Sequence, residues 1–427
     1  MNIETIYSIY LQHPSVQTDT RKLKKGDIFF ALKGDNFNGN LFVQKAFELG
    51  ASYCIVDEEN AVINESCILV NDVLSTLQAL AKKHRSQFNI PFIAITGSNG
   101  KTTTKELIHA VLSTQYITYT TEGNLNNHIG IPLTILKIKP DAEMAVIEMG
   151  ANHQKEIEGY CEYAMPNFGL ITNCGKAHLE GFGGEEGVRK GKGELYQYLK
   201  KQACHVFLFD DYNYLREILG NYSSLISYGT RNSNANIVGE IKSQTEFLEV
   251  EVKKGASIPS IKTQLVGGYN LPNILAAVCI GKYFEISDNH IKEALEAYTP
   301  SNSRSQLIKR DTNTIILDAY NANPSSMKLA IENFAAMPGE KKILLLGAMA
   351  EMGTESEHEH KQIVTIINNY KWHQVVLVGE GFKNSYQNYL YFQNSVEAKN
   401  WFHSNTISDA LILVKGSRSI QMEKILD

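Results

Sequence analysis

The residues best suited to chemistry lie in the stretch FIAITGSNGKTTTKELI, residues 92–108. Phe92 to Ile95 is an apolar, β-branched run with the pattern of a buried strand. It breaks into Thr96-Gly97-Ser98-Asn99-Gly100-Lys101-Thr102-Thr103, and a helix-compatible segment follows. Glycines let the chain turn tightly enough for several N–H groups to face one anion, and a helix N-terminus adds partial positive charge at the same place. Lys101 is positioned to reach the β- and γ-phosphates of ATP, and the Thr102 hydroxyl to hold Mg2+. The common form of this loop opens with a further glycine, where Ile95 stands here. Gly97, Ser98, Asn99, Gly100, Lys101, Thr102 and Thr103 are the expected nucleotide contacts.

Other polar residues stand where strands end. Ala145-Val146-Ile147 reads as a buried strand closing on Glu148. Ligands of open α/β sheets lie beyond the C-terminal strand ends, so Glu148 is expected beside the phosphate loop as a magnesium ligand. Gly169 to Thr172 is a second such strand, leading through Asn173-Cys174-Gly175-Lys176-Ala177 to His178. Residues 121–130 crowd amides beside glycines, which suits a loop donating hydrogen bonds to a polar ligand. Leu265 to Asn273 opens a helix; Asn270 and Asn273 could read an adenine edge, or serve as a cap and a helix-surface residue. Asp318 to Ser326 sets an aspartate and two asparagines before a Pro-Ser helix start, an arrangement suited to a domain interface.

The elements that must position these groups form three units: residues 1–88, a small α/β unit; 89–299, where strand and helix patterns alternate as in a mainly parallel sheet; and 300–427, with the rhythm of a doubly wound sheet. The chain has 427 residues, 43% hydrophobic and 20% charged, enough for two or three ordinary globular cores. A net charge of -5 gives no electrostatic case for nucleic acid. No apolar run reaches the roughly 18 residues that span a bilayer, and the first residues lack the apolar core of a secretory signal. Six scattered cysteines without a C-x-x-C pair point away from zinc and disulfide frameworks. A cytoplasmic protein is expected.

The variant T-G-S-N-G-K-T-T-T at 96–104 resembles the ATP site of the Mur ligase family, amide ligases that build the peptidoglycan stem peptide, and of their folylpolyglutamate synthase relatives. T-D-T-R at 18–21, followed by G-D-I-F-F-A-L-K-G at 26–34, resembles the family's N-terminal domain. That resemblance makes Thr18, Asp19, Thr20, Arg21 and Lys33 candidate contacts of a UDP-sugar, with Asp35 to Gly39 continuing the surface. E-G-N-L-N-N at 122–127 resembles the substrate loop, which implies Asn124 and Asn126 as contacts of the muramoyl group. I-T-N-C-G-K-A-H-L-E at 171–180 resembles the second metal element and implies His178 as a ligand. On composition alone Lys192 is a solvated lysine; aligned on the family's helix, it matches a lysine that CO2 carbamylates, an anion able to serve beside a metal.

G-Y-N-L-P-N at 268–273 matches the family's ATP-base pattern except that Tyr269 replaces a histidine. In the last unit D-A-Y-N-A-N-P-S-S-M at 318–327, L-G-A-M-A-E-M-G at 346–353 and V-K-G-S-R at 414–418 resemble the members that add D-alanyl-D-alanine. Leu317 and Ala348 stand where acidic residues are common. The resemblance implies Asp318 for the ribose, Arg304 for the nucleotide phosphates, and Asn321, Asn323 and Ser325 for the incoming dipeptide. No D-N-P-R string, the mark of diaminopimelate addition, is present. The activity implied is ATP-dependent amide formation between UDP-MurNAc-tripeptide and D-Ala-D-Ala. Lys101, Glu148, His178 and Lys192 would be catalytic. Two Mg2+ ions would be held by Thr102, Glu148, His178 and carbamylated Lys192. A monomer is expected.

Overall fold

The computed structural model describes residues 2–301, 303–385 and 388–427. The first unit runs α1 (Ile3–Gln12), β1 (Val16–Gln17), β2 (Ile28–Phe30), the hairpin β3 (Lys33–Gly34) and β4 (Phe37–Asn38), α2 (Val43–Glu48), β5 (Tyr53–Val56), β6 (Cys67–Leu69) and α3 (Val73–Arg85). Its four-stranded sheet, β1-β2-β5-β6, is wholly parallel. Asp35 and Asn36 turn between the two short strands of the hairpin, and Phe37 and Asn38 form the second of them. One sheet face packs on α2 around Phe29, Val43 and Cys54. The other merges, through Tyr10, Leu77 and Leu80 of α1 and α3, with the core of the central unit. The first two units therefore share one hydrophobic core.

The central unit continues with β7 (Phe92–Thr96), α4 (Lys101–Leu112), β8 (Thr118–Thr120), α5 (Gly130–Ile135), β9 (Met144–Glu148), α6 (Glu156–Ala164), β10 (Phe168–Ile171), α7 (Leu179–Phe182), α8 (Glu185–Lys201), β11 (His205–Phe209), α9 (Asn213–Leu219), β12 (Leu225–Gly229), β13 (Ile237–Gln244), β14 (Leu248–Lys254), β15 (Ile261–Lys262), α10 (Leu271–Tyr283) and α11 (Asp288–Ala297). Among the described residues its sheet has nine strands in the order β15-β14-β13-β12-β11-β10-β7-β9-β8, parallel from β8 to β13 and antiparallel beyond. Every residue of β7, β9 and β10 is buried, as continuous apolar runs must be when helices cover both faces.

The last unit comprises β16 (Gln306–Arg310), β17 (Asn313–Asp318), α12 (Pro324–Ala336), β18 (Lys342–Gly347), α13 (Ser356–Asn368), β19 (Gln374–Val378), β20 (Leu390–Phe392), α14 (Ser395–Ser404) and β21 (Leu411–Lys415). Its sheet order is β16-β17-β21-β18-β19-β20, antiparallel only at β16. The loops after β17, β18 and β21 thus leave the same sheet edge together. The six cysteines are free thiols, and among the described residues no helix is long and apolar enough to cross a membrane.

Candidate active site

β7 delivers the chain into the phosphate loop, and two glycines make the turn possible. Gly97 has φ 141° and Gly100, which caps α4, has φ 79°. A Cβ on Gly97 would stand 2.0 Å from the Thr172 hydroxyl, and one on Gly100 2.8 Å from the Asn273 side-chain oxygen. The loop is fastened to the end of β10. Thr172 Oγ1 and Asn173 Nδ2 donate to the Asn99 carbonyl at 2.6 and 3.0 Å, and Asn173 Oδ1 accepts from the Asn99 amide at 3.1 Å. Ser98 donates from its amide to the Asn173 carbonyl and from its hydroxyl to the Gly175 carbonyl, both at 2.8 Å. Lys101 folds back over the loop, donating to the carbonyls of Gly97 at 2.6 Å and Ser98 at 3.2 Å. Burial holds its pKa below the usual lysine value; Glu148 opposes that shift and Arg304 adds to it. Thr102 is buried and Thr103 half-buried.

β9 pairs with β7 so that Glu148 lies opposite Ile95, at the root of the loop. The carboxylate is 1% exposed. Asn126 donates to Oε1 at 2.7 Å, while Oε2 is buried with no partner. Buried carboxylate oxygens are normally satisfied, so this one is an open position for a cation. Among the described residues no three of His, Cys, Asp and Glu gather at one point. An ion here would complete its shell with water and phosphate oxygens, which is the habit of Mg2+. Asn126 therefore orients the carboxylate, while Asn124, two residues earlier, is exposed.

Lys192 sits in the middle of α8, 1% exposed, its ammonium 3.0 Å from the Ala151 carbonyl and over the Phe182 ring at 4.9 Å. Burial, with Lys101 adding repulsion, pulls its pKa down to about 7. The flanking glycines, a poor helical context on propensity, do not break the helix; they admit its neighbours. A Cβ on Gly191 would meet the Phe182 ring at 2.4 Å, and one on Gly193 the Ile218 side chain at 2.9 Å. His178 has φ 52°, and its Nδ1 contacts the carboxylate of Glu351 of the last unit, itself at φ 60°. His178 therefore holds Glu351 across the domain interface, and its carboxylate partner is held below the usual glutamate range chiefly by that hydrogen bond.

The last unit docks directly on the phosphate loop. Asn323 caps α12 in a capping box with Ser326 and donates to the Asn99 side-chain oxygen at 2.7 Å. Ser325 accepts from the Lys176 amide at 2.9 Å. Lys176 in turn pairs with the buried Glu359 at 2.8 Å. Asp318 is engaged by the buried Lys415 at 2.6 Å and by the Ser305 amide at 3.2 Å. Asn321 is exposed. Arg304 stacks 3.6 Å above the Tyr320 ring.

Two groups of expected contacts have their polar atoms engaged within the protein. Asn270 and Asn273 are buried and bonded inward: Asn273 accepts from Thr104 at 3.0 Å and donates to Asn270 at 3.0 Å, which donates to the Val266 carbonyl at 2.9 Å. In this structure those amides fasten α10 to α4 instead of facing a base. Tyr269, in place of histidine, reaches the Ser305 hydroxyl at 3.0 Å, tying the central unit to the start of the last. In the first unit Asp19 caps the turn at Thr20–Lys22 and pairs with Arg21 at 2.8 Å, while Lys33 pairs with Asp57 at 3.0 Å. Thr18 and Thr20 are half-buried.

Sequence reading passed over Thr172, Asn173, Glu351 and Glu359. The first two lie inside a string already singled out and differ from its flanks in being hydrogen-bonding residues at a strand end. The two glutamates act from another unit, and only the tertiary fold brings them near.

The chain is similar to known proteins over nearly its whole length. Residues 14–91 match the catalytic domain of the Mur ligase family, 95–281 the Mur ligase middle domain and 303–418 the Mur ligase glutamate ligase domain. The UDP-N-acetylmuramoyl-tripeptide–D-alanyl-D-alanine ligase of Bacillus subtilis (strain 168) is 36% identical over 96% of this chain and 92% of its own. The crystal structure of the MurF ligase of Thermotoga maritima in complex with ADP superposes with a TM-score of 0.87 at 26% identity, over 97% of each chain. A crystal structure of MurF from Acinetobacter baumannii gives 0.86 at 29% identity over 96% of this chain and 92% of that one. The chain belongs to the Mur ligase family.

Proposed function

We propose that the protein is an ATP-dependent ligase that joins D-alanyl-D-alanine to UDP-N-acetylmuramoyl-tripeptide in peptidoglycan precursor synthesis. The tripeptide's terminal carboxylate attacks the γ-phosphate of ATP, giving an acyl phosphate and ADP. The dipeptide amine then attacks the acyl carbon, phosphate leaves, and the amine proton is lost to solvent. The observation that carries the reading is the contact of Asn323 with Asn99: the unit expected to bring the amine is seated on the loop expected to hold the phosphates.

In this reading the chain contributes position and charge. The amides of the phosphate loop and Lys101 cradle the triphosphate, and Arg304 approaches from the last unit. Glu148, oriented by Asn126, and Thr102 would hold Mg2+, which would supply positive charge beside the phosphate oxygens. Lys192, with a pKa of about 7, is substantially neutral at physiological pH and so able to add CO2 with loss of a proton. A carbamate at Lys192, together with His178 turned away from Glu351, would offer the ligands of a second cation. The first unit takes the UDP group through Thr18, Asp19, Thr20, Arg21 and Lys33. The domain limits at 88/89 and 299/300 and a monomeric state belong to the same reading. The alternative, a sibling ligase adding diaminopimelate or lysine, is not favoured by the relatives.

The test is phosphate release from ATP with UDP-MurNAc-tripeptide, comparing D-Ala-D-Ala, diaminopimelate, lysine and no amine. Release with the dipeptide alone is the expected result, with Lys101→Ala reducing it about 100- to 1,000-fold, the scale of removing a principal charge stabiliser of the transition state. Full turnover by Lys101→Ala would overturn the account.

A further inference from the structure

At the C-terminal ends of β17 and β21, which lie side by side, two arginines converge on one aromatic ring. The Arg304 guanidinium is 3.6 Å and the Arg418 guanidinium 5.2 Å from the centre of Tyr320. Among the described residues neither has a carboxylate within ion-pair distance or a hydrogen-bond acceptor. Lys415 of β21 is taken by Asp318 at 2.6 Å, and Lys176 of the central unit by Glu359 at 2.8 Å. Two like charges sharing a ring, with their fork-shaped donors unused, form a site that an anion completes.

The support beneath Arg418 is rigid. The Ser417 amide and hydroxyl both donate to the Ala348 carbonyl, at 3.2 and 2.7 Å. Ala348, at the end of β18, has no carboxylate of its own to compete for the guanidinium. Arg418 is exposed and so accessible to a ligand arriving from solvent, whereas Arg304 is half-buried and interacts with Lys101 of the phosphate loop. The pair is thus graded from the nucleotide outward.

We infer that Arg418, stacked on Tyr320, binds the carboxylate of the incoming dipeptide; this rests on the ligase reading above. The dipeptide carries one anionic group, and amine and carboxylate are separated by a span of about 7 Å when extended. Tyr320 lies three residues before Asn323, which bonds the phosphate loop. A carboxylate held at Arg418 therefore leaves the amine able to reach toward the transferred phosphate.

The test is steady-state kinetics of wild type and Arg418→Gln with D-alanyl-D-alanine and with its neutral C-terminal amide. The wild type should prefer the acid, and Arg418→Gln should raise KM for the dipeptide about 10- to 150-fold, the range for a charged hydrogen-bond pair. The variant should treat acid and amide alike, with KM for ATP changed less than about threefold and ADP binding intact. An acid-over-amide preference that survives in Arg418→Gln, or a rise in KM for ATP instead, would overturn the inference and assign Arg418 to the nucleotide or to neither substrate. Wild type that releases no phosphate with any amine would overturn the ligase reading itself, a result distinct from a normal wild type with an unaffected variant.

Discussion

Lys101 and Arg21 are both cations set just beyond a strand, and the protein treats them in opposite ways. Arg21 is 87% exposed on its side chain and closed into a bidentate pair with Asp19, two residues away, at 2.9 and 2.8 Å. Its charge is neutralised locally and screened by water. Lys101 is turned onto backbone carbonyls with no carboxylate within ion-pair distance among the described residues, and its protonated form is disfavoured by burial. A cation kept in an unfavourable place without an ion-pair partner is held ready for an anion that arrives later. The loop around Lys101 therefore keeps an unpaired cation at a cost to stability, whereas the turn at Asp19 is a locally neutralised, solvated surface. Perturbing the first should act on chemistry and nucleotide binding together; perturbing the second should act on substrate affinity alone.

The sharpest way to break the comparison is Gly97→Ala. The residue has φ 141°, and the new methyl would stand 2.0 Å from Thr172 Oγ1, which anchors the loop through the Asn99 carbonyl. Backbone strain and overpacking together should lower stability by about 2–4 kcal/mol. The loop cannot keep both its anchor and its shape, so ADP binding should fall below detection. Urea unfolding and ADP titration report the two effects. A variant that binds ADP normally would mean that the loop adapts on binding and is not preorganised.

The phosphate loop was legible because its chemistry is local: strand, glycines, lysine and helix follow one another, and the register of β7 with β9 then forces Glu148 to the same edge. The nine-stranded sheet was legible only in part. The buried parallel strands announce themselves as apolar runs, whereas β13 is polar and exposed over most of its second half and gives no such run. The glycines around Lys192 are poor helix formers, and what they satisfy is the close approach of Phe182 and Ile218, a tertiary demand. Arg418 and Glu351 were visible as letters in a motif without a role, since their partners, Tyr320 and His178, are 98 and 173 residues away by sequence number. Asn273 reads equally well as a ligand contact or a packing residue until Thr104 and Asn270 are seen on either side of it.

Lys192→Met sharpens the comparison at a second cation disfavoured by burial. In the folded chain the lysine titrates near 7, against the ordinary 10.5. Between those values the unfolded chain binds a proton that the folded chain has released, so stability attributable to this group rises with pH across that window and is lowest at and below about pH 7. Methionine carries no such penalty. In CO2-free buffer Lys192→Met should therefore be the more stable protein at pH 7, by on the order of a few kcal/mol, and the gain should vanish as pH approaches about 10.5. Ligase turnover should nonetheless fall by about 100-fold or more if the carbamate serves the cation. Bicarbonate should restore activity to stripped wild type but not to the variant. A melting-temperature difference that ignores pH would contradict the buried-amine assignment.

The smallest effect belongs to Arg21→Ala. Asp19 is held below the usual carboxylate range chiefly by the Arg21 side chain, but both groups face solvent, and exposed pairs contribute little to folding. The melting temperature should stay within about 1 °C of wild type. If the turn contacts the diphosphate of the acceptor, KM for UDP-MurNAc-tripeptide should rise several-fold while kcat and KM for ATP hold. The rise should shrink as salt is raised from about 0.01 to 0.15 M, because the Debye length falls from roughly 30 to 8 Å. A fall in kcat as deep as that of Lys101→Ala would place Arg21 at the reacting phosphate, and the contrast between an ordered, half-buried cation and a solvated one would collapse into a single closed site.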